Sequence, residues 1–140
     1  SFRKYGAQWD WGANADFTWR TGKNDRDYRL GNKAGVGGWF QWKGFTAFSP
    51  GMRLHYRWRG TIAGQDAALL VPNPQFPYPA PVTNPSAFGG EQIDLTVFLR
   101  FPFANGWYTE ASYAQPLYLD LNGPQSSEKY HFSIEVGTSF

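Results

Sequence analysis

The stretch MRLHYRWR, Met52 to Arg59, alternates without exception. Met52, Leu54, Tyr56 and Trp58 fall on one parity, and Arg53, His55, Arg57 and Arg59 on the other. Side chains of a β-strand point to opposite faces with period two. The segment is therefore expected to form a strand with one apolar, aromatic face and one basic face. Such a strand needs a different solvent on each side.

The same pattern runs outward along the chain. In QWDWGANADFTWR, Trp9, Trp11, Ala13, Ala15, Phe17 and Trp19 oppose Asp10, Gly12, Asn14, Asp16, Thr18 and Arg20. YRLGNKAGVGGWFQWK sets Tyr28, Leu30, Ala34, Val36, Phe40 and Trp42 against Arg29, Lys33, Gln41 and Lys43; its glycines suit a curved strand better than a helix. EQIDLTVFLRF alternates with Phe98 as the exception, and WYTEASYAQPLYLD places Leu117 and Leu119 against Asp120. The chain closes on KYHFSIEVGTSF. Six strands are expected, near 8–20, 28–43, 51–62, 91–103, 107–120 and 128–140, in a single all-β segment with no helix. PNPQFPYPAPVTNP marks the stretch 65–90 as a long Pro-rich loop.

The fourth turn fixes a register. A two-residue Asn105-Gly106 turn would set apolar residues beside polar ones on one face, which the alternation forbids. A three-residue loop Ala104-Asn105-Gly106 with Gly106 left-handed repairs this. Phe98 then opposes Ser112, and Arg100 opposes Glu110 as a charge pair.

Composition narrows the class. The chain has 140 residues, no cysteine, a net charge of +2 and 19% aromatic residues, with a negative mean hydropathy. Disulfides and thiolate metal sites are excluded. No apolar run approaches the roughly 18 residues of a membrane helix. No signal peptide precedes Ser1, so the chain reads as a mature form or a piece of something longer.

An ordinary antiparallel sandwich would also alternate. Three features favour an up-and-down transmembrane β-barrel instead. The strands are long, near the roughly 9–11 residues that cross a bilayer. Long and short connections alternate, as external loops and periplasmic turns do. Aromatics gather near strand ends, at Trp9, Trp11, Trp19, Trp42, Phe45, Phe101, Phe103 and Trp107, as interfacial girdles would. Lipid then faces Met52, Leu54, Tyr56 and Trp58. The wet lumen is expected to be lined by Asp10, Asp16, Arg20, Lys33, Arg53, His55, Arg57, Arg59, Asp94, Arg100, Glu110, His131 and Glu135. That lining reads either as a net-basic path for polar or anionic solutes or as a structural ladder of cross-strand ion pairs.

The closing strand, with Tyr130, Phe132, Ile134, Val136 and the final Phe140, is similar to the C-terminal signal for barrel insertion in Gram-negative outer-membrane proteins. A wider resemblance covers roughly residues 30–140. GNKAGVGGWFQWK, SPGMRLHYRWRGTIAGQDAALL, NPSAFGGEQIDLTVFLRF and PLYLDLNGPQ together resemble the C-terminal half of a bacterial outer-membrane family. Its members are described as transporters of the phenol meta-cleavage degradation pathway, distantly like the fatty-acid and toluene channels. The most specific pieces are GTIAGQDA (Gly60 to Ala67), Gly89-Gly90, and Pro116 through DLNGPQ (Asp120 to Gln125). The resemblance implies passage of small, often aromatic molecules. Family members are roughly twice as long, and their N-terminal half has no counterpart here.

Six strands fall short of the eight in the smallest single-chain barrels. The chain is therefore expected to be part of a barrel of about twelve strands, completed by a missing half, a second chain or a second copy. A small-molecule channel in the outer membrane is the expected function; a non-conducting scaffold that docks a partner protein is the alternative. A secreted carbohydrate-binding sandwich with exposed Trp is a third, weaker reading.

No enzyme, cofactor or metal is expected. His55 and His131 have no ligand-spaced companions, and Ser133, His131 and Glu135 share a face without a fuller hydrolase motif. Nucleic-acid binding is not expected either, because the arginines and aromatics of RLHYRWR point to opposite faces.

Overall fold

The computed structural model describes residues 1–73, 75, 77–80, 83–126 and 129–138. Nine strands form, and no α-helix is present among the described residues. They are β1 (Phe2–Tyr5), β2 (Trp9–Thr18), β3 (Tyr28–Arg29), β4 (Lys33–Trp42), β5 (Ser49–Arg59), β6 (Ala63–Gly64), β7 (Gly90–Pro102), β8 (Trp107–Leu121) and β9 (His131–Thr138). Seven of them make one sheet in the order β1-β2-β4-β5-β7-β8-β9, with every neighbouring pair antiparallel. The short β3 and β6 pair with each other above it.

Two expectations on strand number need correction. The main sheet has seven strands, because Phe2–Tyr5 pairs with β2; four residues with Lys4 opposite Trp11 carry too little alternation to be seen. The expected strand 28–43 is divided: Tyr28–Arg29 turns away to pair with Ala63–Gly64, and the main-sheet strand starts at Lys33.

The register bears out the fourth turn. Phe98 opposes Ser112, Arg100 opposes Glu110, and Phe103 N–H donates to the Trp107 carbonyl at 2.9 Å. Gly106 is left-handed (φ 75°), and so is Asn105 (φ 63°), which the spacing did not foresee. Upstream, the β7–β8 register shifts between Ile93 and Asp94, where Leu117 is skipped as a bulge. A bulge re-aims every side chain beyond it. Tyr118 and Asp120 therefore join Ile93 and Glu91 on the apolar side, and Leu119 turns to the polar side opposite Gln92. The expected placement of Leu119 and Asp120 is reversed for that reason.

Connections alternate in length as expected. Residues 6–8, 43–48 and 103–106 close one end of the sheet, and 19–32, 60–89 and 122–130 the other. Short 3-10 turns at Ala67–Leu69 and Pro85–Ala87 punctuate the longest of these.

Burial is inverted relative to a water-soluble domain. Among the described residues the only buried large apolar side chain is Phe98, while Asp10, Gln41, Ser49, Glu110 and Ser112 are buried. Phe132, Ile134 and Val136 remain 63–66% exposed, and Met52 and Leu54 50%. The total accessible surface is 9923 Å², against about 7,400 Å² for a folded monomer of this mass by surface–mass scaling. With no second layer present among the described residues, side chains on the polar face become buried only by crowding one another. The polar face is therefore the more crowded of the two.

Crowding on the polar face is severe at Gly51, opposite Phe98, where an added Cβ would strike the Phe98 ring and the Phe40 carbonyl. Gly51→Ala is expected to destabilise the fold by about 1–3 kcal/mol, the ordinary range for overpacking. Gly38→Ala, whose Cβ would meet only the Gly12 carbonyl at 3.7 Å, should stay within about 1 kcal/mol of wild type. Urea unfolding of the two variants in the same detergent checks the contrast.

Candidate functional site

The expected lumen residues do share one face. Across the registers, Asp10, Asp16, Lys33, Arg53, His55, Arg57, Arg59, Asp94, Arg100, Glu110, His131 and Glu135 all project from one face of β2, β4, β5, β7, β8 and β9. Arg20 lies just past β2 instead. Its Nη1 donates to the Gly31 carbonyl at 2.8 Å, so it holds a loop.

Glu110 is the hub of this face. It is only 3% exposed. Its Oε2 accepts from Arg100 Nε at 3.1 Å and Nη2 at 2.8 Å, while Oε1 accepts from Arg53 Nη2. Two cations on one buried carboxylate give the planar, directed pairing at which guanidinium excels. The Arg53 guanidinium sits 4.1 Å above the Phe98 ring, and that of Arg100 sits 4.2 Å from the Tyr108 ring. Cation–π contact gives these aromatics a place on a polar surface. This explains Phe98, the exception in its strand.

Two further rows are paired. Arg57 Nη2 donates to Asp94 Oδ2, and Gln92 Nε2 donates to Asp94 Oδ1 at 2.6 Å. Asp10 meets Lys43 Nζ at 2.8 Å and accepts from the Gly6 amide at 3.2 Å. Gly35 and Gly37 stand opposite Asp16 and Asn14, leaving room for those side chains to fold over the strand. Lys33 and Arg59 are directly opposite each other near the long-loop end, and neither forms an ion pair among the described residues. The face thus carries compensated charge near the short turns and excess cations toward the long loops.

The other face is apolar and belted. Near the short turns, Trp9 lies 4.7 Å from Phe40 and 5.8 Å from Trp42; Trp42 lies 4.6 Å from Phe45, Phe45 4.7 Å from Phe48, and Phe48 6.2 Å from Phe101. Trp11, Val36, Phe40, Met52, Leu54 and Tyr56 line a shallow open groove higher up. Glu91 and Asp120, opposite each other and beside Trp58, end the apolar zone toward the long loops. Phe132, Ile134 and Val136 of the expected insertion signal project to this apolar side, and Tyr130 stacks on Tyr113 at 6.4 Å. Phe140 lies outside the described residues.

The motifs singled out in the long connections meet at one end. Gln125 Nε2 donates to the carbonyls of Gly89 at 2.7 Å and Ala87 at 3.2 Å, and Asn122 Nδ2 donates to Phe88 at 3.0 Å. The Gly60 amide donates to the Asn32 carbonyl at 2.9 Å, and Arg26 pairs with Asp66 at 3.2 Å. GTIAGQDA, Gly89-Gly90 and DLNGPQ therefore knit the loops into one rim.

Sequence reasoning missed Trp39 and Tyr108 as members of the polar side. Trp39 is there because Gly12, its partner, leaves room for an indole; the pairing of a Gly with a bulky residue across strands was the available signal. No helix among the described residues is long and apolar enough to cross a membrane, which says nothing of strands. No family model, curated protein or solved structure matches this chain.

Removing the hub charge should be costly. Glu110→Gln leaves Arg53 and Arg100 without their counter-ion. Discounted for the partial exposure of the arginines, it is expected to lower stability by about 2–4 kcal/mol. Arg59→Gln should change it by no more than about 0.5 kcal/mol. Denaturant midpoints measured side by side decide whether Glu110 holds that weight.

Proposed function

We propose that this sheet is wall from an outer-membrane β-barrel channel of the Gram-negative type, with the polar face toward a water-filled lumen and the apolar face toward lipid. The inverted burial carries the reading: polar side chains are crowded and buried, while apolar ones stand exposed over a whole sheet face. Soluble monomers seldom expose apolar patches beyond about 300–600 Å².

Dimensions agree with it. From Ile93 to Phe101 the apolar side of β7 runs eight residue steps, about 27 Å at 3.4 Å per residue. Tilted by 35–45°, that is about 19–22 Å along the membrane normal, near the roughly 25 Å apolar band of such barrels. The aromatic belt bounds this band below, and Glu91 and Asp120 bound it above. Arginine facing lipid at mid-depth would cost about 2–4 kcal/mol; Arg53, Arg57 and Arg100 all project the other way.

The solute class follows from the charge gradient. Excess cations near the long-loop end, at Lys33 and Arg59, favour entry of anionic solutes. The resemblance to the phenol-degradation transporters adds small aromatic molecules, so aromatic carboxylates fit both. The scaffold reading keeps one observation in its favour: the ion-paired hub around Glu110 fills the polar side with side chains.

Planar-bilayer recording on protein purified from outer membranes tests the channel. Conductance with anion selectivity is expected, and Lys33→Glu with Arg59→Glu should move the reversal potential toward cations. Folded protein that inserts yet passes no current would reject the channel and leave the scaffold.

A further inference from the structure

The edges of the sheet say what must complete it. All neighbours are antiparallel and the strands number seven, so the outermost strands, β1 and β9, run in the same direction. Joining β9 to β1 of the same sheet would make a parallel seam. An upright second copy would make two. A second copy could pair antiparallel only upside down, with its long loops at the opposite membrane face. Yet unpaired main-chain amides and carbonyls in lipid cost several kcal/mol each, so the edges cannot stay open in a membrane.

The edge chemistry narrows the occupant further. Glu135 of β9 stands directly opposite Glu110, whose two oxygens already serve Arg53 and Arg100. Like charges facing across strands are unfavourable, and Glu135 forms no ion pair among the described residues. A cation on the far side of β9 would relieve this. At the other edge, β1 pairs with β2 between Asp10 and Ala13.

Resting on the membrane reading above, we infer that the sheet is completed by an odd number of antiparallel strands that are not residues 1–140 of any copy. Both edge strands of that block run opposite to β9 and β1, and the one against β9 presents Lys or Arg to Glu135. The block shares this sheet's alternation, apolar toward lipid and polar toward the lumen.

The absence of cysteine makes the test clean. Phe132→Cys and Ile134→Cys, each exposed on the apolar side, are coupled to a thiol-reactive benzophenone in the membrane-embedded protein. Illuminated samples are then mapped by mass spectrometry. Adducts to Tyr113 and Ala111 of the adjoining β8 are the internal reference. The expected result is a second set of adducts on a peptide outside residues 1–140. The Phe132 adduct should lie C-terminal to the Ile134 adduct on that peptide, the signature of antiparallel pairing. Glu135→Arg should lower the yield roughly five-fold through like-charge repulsion, with Glu135→Gln affecting it less.

Adducts on residues 1–8 or 131–138, whether of the same chain or of a second copy, would overturn the inference. So would the internal reference alone. Flotation of the same sample on a lipid gradient separates the two claims: protein that fails to float removes the membrane reading, whatever the adducts show.

Discussion

Main-chain hydrogen bonding between neighbouring strands carries this fold, because among the described residues no second layer covers the sheet. Globular domains hold their sheets by packing one face against helices or another sheet. Here the main chain of each strand bonds to its neighbours in the sheet, and the buried set among the described residues contains a single large apolar side chain. The ladder sets the order of strands, the order fixes the register, and the register decides which side chains face one another. A register slip of one residue would exchange the two faces of a strand. The short turns matter for the same reason: the left-handed Asn105-Gly106 pair keeps Arg100 level with Glu110.

Charge supplies the cross-links that packing does not. Glu110 ties β8 to β7 through Arg100 and reaches past β7 to β5 through Arg53; Asp94 ties β7 to β5 through Arg57; Asp10 joins β2 to the turn after β4 through Lys43. Each tie crosses strands on the polar face, pairing a largely buried carboxylate with a partly exposed cation. Phe98 and Tyr108 add body to the same network by lying under guanidinium groups. The cations left over lie toward the long loops, and the proposed preference for anionic solutes rests on that gradient.

Parity made most of this legible in the sequence. Strand centres, the two faces, the three-residue turn and the Arg100–Glu110 pair follow from period-two alternation and one turn rule. What escaped lies where parity is silent or broken. FRKY is too short to show a period, and its Lys4 faces the apolar side. The bulge at Leu117 leaves no mark in composition, so Leu119 and Asp120 were assigned to the wrong sides. Trp39 and Phe98 sit on the polar face because Gly12 and Gly51 lie across from them, a relation between strands that one strand cannot reveal. The role of the shared motifs as loop ties depends on hydrogen bonds between segments far apart in the chain.

The knitted rim has a consequence for resistance to proteolysis. A protease needs several residues of extended, detachable backbone, and long exposed connections are where cutting concentrates. Here the Gln125 and Asn122 amides grip carbonyls 87–89, Asn32 holds both Arg20 and Gly60, and β3 pins β6. Loosening one connection means breaking its bonds to the others. On the membrane reading these connections face the medium, with the described parts of several of them tied to one another.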